Sequence, residues 1–140
     1  MSITPQEARA TLTSLLDDTQ SLIGGEWNVH DSPSPVPCPR GGAAEPGVAF
    51  TGHRTLDGGG GFADIAAPTT ALWETAGLRV GRTAVGPFDV LRGVHPSDPA
   101  FTAELRVGAR STMLRGQSPC AEGDAIRELE RVKRELGTPA

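Results

Sequence analysis

Residues 101–117 read FTAELRVGARSTMLRGQ, and the fold is decided there. Phe101, Ala103, Leu105 and Val107 alternate with Thr102, Glu104 and Arg106, the period of a strand with one buried and one solvated face. Gly108-Ala109 then turns the chain into a second strand, Ser111 to Gln117. So short a connection calls for an antiparallel pair, because parallel strands need a long crossover. The preceding residues repeat the device: Leu78 to Thr83 reads as a strand, Gly86-Pro87 as a turn, Phe88 to Gly93 as a strand and Val94 to Pro99 as a loop. Successive hairpins predict an α+β fold, an antiparallel sheet of about five to six strands with helices segregated on one face, in preference to a doubly wound sheet.

The first helix is signalled by Thr4-Pro5-Gln6-Glu7, which supplies a cap, a proline at the first helical position and a reciprocal glutamate. Ala8, Leu12, Leu15, Leu16, Thr19, Leu22 and Ile23 follow helical spacing, and Gly24-Gly25 ends the run. Glu26 to His30 reads as a short strand with Trp27 and Val29 inward. Residues 31–46 hold five prolines and read as a loop. Val48 to Thr55 reads as one strand, with Val48 and Phe50 on one side and Thr51 and His53 on the other. A second helix is expected over Pro68 to Ala76, with a start as early as Asp64 and a core face of Leu72, Trp73 and Ala76; Gly77 stops it. Gly123-Asp124 opens a final helix with a stripe of Ile126, Leu129, Val132 and Leu136, supported by a Glu130–Arg134 pair. The expected order is α-β-β-α-β-β-β-β-α in a single domain spanning residues 1–140, with its core over about 4–123 and the last helix at 124–136.

With 140 residues the chain has room for one ordinary core. It has no tyrosine, four Phe and two Trp, so that core must be mostly Leu, Val and Ala. The net charge of -4, with no basic block, argues against a general nucleic-acid binder. Lys133 is the only lysine among 13 basic residues, a bias that points to a GC-rich, actinobacterial source. No run approaches the ~20 apolar residues of a membrane span. Met1 to Pro5 leads directly into the first helix pattern. The expected location is therefore extracytoplasmic if an export signal was removed, and otherwise cytoplasmic.

Cys38 and Cys120 each follow a proline. They are too few for a structural zinc site and do not form a Cys-x-x-Cys redox pair. A disulfide between them is the natural reading, and it implies an oxidising compartment. Closing a loop of about 80 residues would stabilise the fold by roughly 4–5 kcal/mol. No metal or cofactor is called for by any spacing in the chain.

Gly58 to Gly61 is followed by Phe62-Ala63-Asp64, not by the lysine of a phosphate loop, and reads as a flexible tip. His30 and His53 are expected on neighbouring strands facing the same way, with Asp31 nearby; a histidine–carboxylate pair performs acid–base work when geometry joins the two. Exposed histidines at strand ends are the plainer reading. No Gly-x-Ser-x-Gly elbow is present. Residues 78–115 carry Arg79, Arg82, Arg92, Arg106, Arg110 and Arg115 against Asp89, Asp98 and Glu104, a local charge of 6 − 3 = +3. Arg79, Arg92, Arg106 and Arg115 are the candidates for holding an anionic ligand or an acidic partner, since guanidinium binds carboxylate and phosphate bidentately. Trp27 and Trp73 sit on apolar faces and read as core or rim packing.

Gly24-Gly25-Glu26-Trp27, the proline-rich segment to Cys38, Gly47-Val48-Ala49-Phe50, Leu72-Trp73-Glu74-Thr75-Ala76-Gly77-Leu78-Arg79-Val80 and Gly116-Gln117-Ser118-Pro119-Cys120 together resemble actinobacterial secreted or lipid-anchored envelope proteins of the LppA-like lipoprotein kind. The resemblance runs in pieces over residues 5–123. It implies a disulfide-bridged α+β domain at the outer membrane face and carries over no active-site residue. A lipid anchor is expected only if an upstream segment is missing. The leading expectation is a non-enzymatic envelope domain that binds an unknown protein or a small anionic ligand on its sheet face. An immunity protein or inhibitor of a secreted toxin is the alternative, and a small hydrolase or lyase using His30 or His53 comes third.

Overall fold

Helix α1 (Pro5–Ile23) starts where its sequence directs. Thr4 Oγ1 accepts from the Glu7 amide while the Glu7 carboxylate accepts from the Thr4 amide, so two donors that a helix start leaves orphaned are satisfied. The structure, a computed structural model, describes residues 3–40, 45–59 and 61–137. After α1 come β1 (Trp27–Val29), β2 (Val36–Arg40), β3 (Glu45–Ala49), β4 (Thr51–Asp57) and α2 (Phe62–Thr75). Next are β5 (Arg79–Val85), β6 (Phe88–Val94), β7 (Thr102–Val107), β8 (Ser111–Gln117), β9 (Ala121–Glu122) and α3 (Ala125–Glu135).

The main sheet has six antiparallel strands in the order β1-β4-β8-β7-β6-β5. Helices α1 and α2 cover one face of it. Leu12, Leu15 and Leu16 of α1 and Trp73 of α2 pack there with Leu91, Ala103, Leu105, Val107 and Leu114 from the strands. Trp73 is fully buried, and its indole N–H donates to Thr19 Oγ1 at 3.0 Å, giving the one polar atom of that side chain a partner. The α+β class, the helices on one face and the hairpins of residues 78–117 are as expected.

The first half departs from expectation at two places. Residues 31–46 contain β2, although Pro37 and Pro39 lie within it. β2 is an edge of a second, three-stranded sheet, β2-β3-β9, and an edge strand tolerates proline where the missing N–H would face away from its neighbour. The strand read as Val48 to Thr55 is two strands belonging to different sheets. The break falls at Phe50, whose amide donates to Ser118 Oγ at 2.9 Å while its carbonyl accepts from the Ser118 amide at 2.8 Å. That buried reciprocal pair reaches 68 residues along the chain, so nothing local announces it.

Smaller corrections have local causes. Helix α2 begins at Phe62, six residues before Pro68; Pro68 is exposed, and its missing N–H leaves the Asp64 carbonyl without its helical donor. Ala76 caps that helix and is exposed. Val29 is 54% exposed because β1 is a short edge strand. In α3 only part of the expected stripe docks: Val132 is buried and Leu129 half-buried, but Ile126 and Leu136 are exposed and Glu128 is buried as well. Arg131 pairs with Glu128 and Glu135 there, instead of the expected Glu130–Arg134 pair. The expected Cys38–Cys120 disulfide is present, with Cα atoms 6.0 Å apart and a sequence separation of 82.

Candidate functional site: the open face of the main sheet

Cross-strand partners share a face, so the register states what alternation alone leaves open. His53, Arg115, Glu104 and Arg92 lie in one row across β4, β8, β7 and β6. The row on one side is Thr51, Gln117, Thr102, Val94 and Arg79. The row on the other is Thr55, Met113, Arg106 and Val90. Arg79, Arg92, Arg106 and Arg115 therefore all occupy the face away from α1 and α2. Arg82 lies in the opposite phase, its guanidinium 5.7 Å from the Phe62 ring centroid, and Arg110 belongs to the β7–β8 turn.

Glu104 gathers three of these arginines. Its carboxylate accepts from Arg92 Nε at 3.2 Å, Arg106 Nε at 3.0 Å and Arg115 Nε at 2.7 Å. Arg115 Nη2 adds a contact at 2.6 Å. The local sum is 3 − 1 = +2. Burial pushes the Glu104 carboxyl up, but hydrogen bonds from Arg115 and Arg106, with the nearby positive charge, outweigh it and hold the group below its ordinary value. Such a carboxylate adds stability that is present above its unfolded value, about 4.3, and is lost as pH falls through the lower folded value. Glu104→Gln should accordingly lower the urea midpoint at pH 7, and the gap to wild type should narrow by pH 3. A gap independent of pH would contradict the charge assignment.

Beside this row lies an open cavity of about 490 Å³, with His30, His53, Arg92, Thr102, Arg115 and Gln117 among its walls. Its base is a second cross-strand row, Gly52, Gly116, Ala103 and Gly93, which contributes almost no side chain. The opposite surface of that row explains the small residues. A Cβ on Gly52 would sit 2.4 Å from Leu16 Cδ1, and one on Gly116 2.9 Å from Leu12 Cδ1, so α1 presses directly on the sheet. Each glycine taken singly is only an interior weak point of a strand. Register makes them a floor.

His30 and His53 do come together: the His30 amide donates to the His53 carbonyl at 2.7 Å, and the ring centroids are 6.2 Å apart. Asp31 does not join them. Its carboxylate accepts from Arg54 Nη2 at 2.7 Å and from the His53 amide at 3.1 Å. Arg54, 2% exposed, also binds Asp17 at 2.5 Å and Gln20 at 3.3 Å. Burial alone would lower the Arg54 value, yet Asp31 and Asp17 together raise it, which keeps the guanidinium charged. This network was missed in reading the sequence. The available signal was that Arg54 falls between His53 and Thr55 in a strand, on the inward phase, where a charge needs partners. Among the described residues neither imidazole hydrogen-bonds a carboxylate, and no three His, Cys, Asp or Glu side chains are grouped to hold a metal. Gly58, Gly59 and Gly61 do not line the cavity; the Gly58 amide donates to Arg110 O at 2.8 Å, and residue 60 is outside the described residues.

Fold and face together define a class: an α+β domain with two helices on one side of an antiparallel sheet and a basic, concave surface on the other. In structure the chain is similar to a DUF4853 family protein from Actinomyces odontolyticus, an actinobacterium, with a TM-score of 0.61 at 14% identity over 88% of this chain and 70% of that one. At that identity the likeness is one of fold. No family model matches the sequence, and no curated protein does. No described helix is long and apolar enough to cross a membrane.

Proposed function

We propose that this chain is a binding domain that holds an anionic ligand on the open face of its main sheet and does not convert it chemically. The observation that carries this is the surplus charge around Glu104, where three arginines share one carboxylate. Arg92 and Arg115 remain 54% and 52% exposed beside a cavity with a backbone floor. Guanidinium groups fixed in this way need little further ordering to receive a carboxylate or phosphate. The Cys38–Cys120 bond supports an oxidising, extracytoplasmic setting, and the resemblance to LppA-like lipoproteins supports the envelope of an actinobacterium.

The test is a titration with citrate, inorganic phosphate and hexaglutamate at low salt, followed by backbone amide shifts. At least one anion should move amides of residues 51–53, 92–94, 102–104 and 115–117. The response should weaken with added salt and vanish in Arg92→Glu/Arg115→Glu. No response to any anion, or shifts scattered over the helical face, would sink the reading.

A further inference from the structure

Resting on that reading, we propose that the ligand is a sugar bearing an acidic group, a phosphate monoester or a uronic carboxylate. Two features of the cavity lead there. Arg92 is held on Glu104 through Nε, and among the described residues its terminal nitrogens have no other partner. The end-on fork that matches a carboxylate or phosphate is therefore open. Beyond Arg92, Arg115 and Glu104, the wall is rich in hydrogen-bonding groups. Thr51 and Thr102 contribute hydroxyls, and His30 and His53 contribute imidazoles. Gln117 donates through Nε2 to Ala100 O at 3.0 Å, which leaves its amide oxygen to accept.

Groups that both donate and accept suit hydroxyls, which do the same. An acidic peptide would bring backbone amides and extended length to a cavity crossed by one short row of charges. The floor of Gly93, Ala103 and Gly116 gives a flat surface for a ring. Strands about 4.8 Å apart make β4 to β6 about 14 Å wide, room for one or two sugar rings. The volume of about 490 Å³ falls within the range of small-molecule sites.

The experiment compares glucose 6-phosphate, glucuronate, glucose and inorganic phosphate by the same amide titration. At least one of the two sugar anions should bind tenfold or more tightly than either phosphate or glucose; which one does tells phosphate from carboxylate recognition. Thr102→Val should weaken the sugar anion about fivefold, the worth of one hydrogen bond, and leave phosphate unchanged. Arg92→Ala/Arg115→Ala, both at exposed positions, should abolish sugar-anion binding. Phosphate binding as tightly as both sugar anions would overturn the sugar assignment and leave an anion-binding face. So would binding of hexaglutamate or citrate alone. Silence from every anion would remove the face as well.

Discussion

Replacing Cys38 and Cys120 together with serine is expected to remove about 4–5 kcal/mol of folding stability, the loop-closure value for a bond spanning 82 residues. Against a typical total of ~5–15 kcal/mol this is roughly a quarter or more, and the urea midpoint should fall by about 2 M. The bond ties β2 to the residue just before β9, the two outer strands of the small sheet. The core beneath them is slight: Ala8, Val48 and Ala121, with Ile3 and Ala125 packed against it. Amides of β3 and β9 should therefore lose exchange protection before those of β7 and β8. A midpoint shift under about 0.5 M would show that the small sheet stands without its staple. Intact mass under denaturing conditions, with alkylation before and after reductant, tests the bond itself. Free alkylation of both thiols without reductant would remove the argument for an oxidising compartment.

Arg54→Ala should be the next most damaging change, costing about 3 kcal/mol. The substitution removes the cation that joins Asp17 and Gln20 of α1 to Asp31 and the β4 backbone. The figure is set at the low end of the range for broken buried pairs because Asp17 is 59% exposed and regains water readily. Asp31, at 28%, does so less easily and carries most of the loss. Asp31→Asn should cost less than Arg54→Ala, since the amide still accepts from the guanidinium. Chemical denaturation of the two single variants and the double variant measures the coupling. A loss below about 1 kcal/mol for Arg54→Ala would mean that the network is incidental to packing.

Much of the site was legible in pieces. Alternation in residues 101–107 put Glu104 and Arg106 on the wet face; Arg115 joins them there through the register of β8 with β7. The four candidate arginines share that face. Their convergence on one carboxylate was not legible, because it depends on Arg92, Glu104 and Arg115 being directly opposite one another, and a slip of one residue would turn each away. The pairing of His30 with His53 was readable from the strands that carry them. The diversion of Asp31 was not, because it depends on Arg54 Nε and Nη2 standing beside it, a contact 23 residues along the chain that no local pattern names.

By itself the sequence determined what depends on neighbours a few residues apart. It set the capping box at Thr4 and Glu7, the hairpins of residues 78–117 and their alternation, and, with only two cysteines, which thiol must meet which. Tertiary structure alone decided the break at Phe50, the proline-bearing edge strand β2, the glycine floor and the charge row above it. Turns and caps are settled by local dihedrals and local hydrogen bonds. Register and sheet order are settled by contacts such as β4 with β8, strands some 60 residues apart, whose partners no local pattern names.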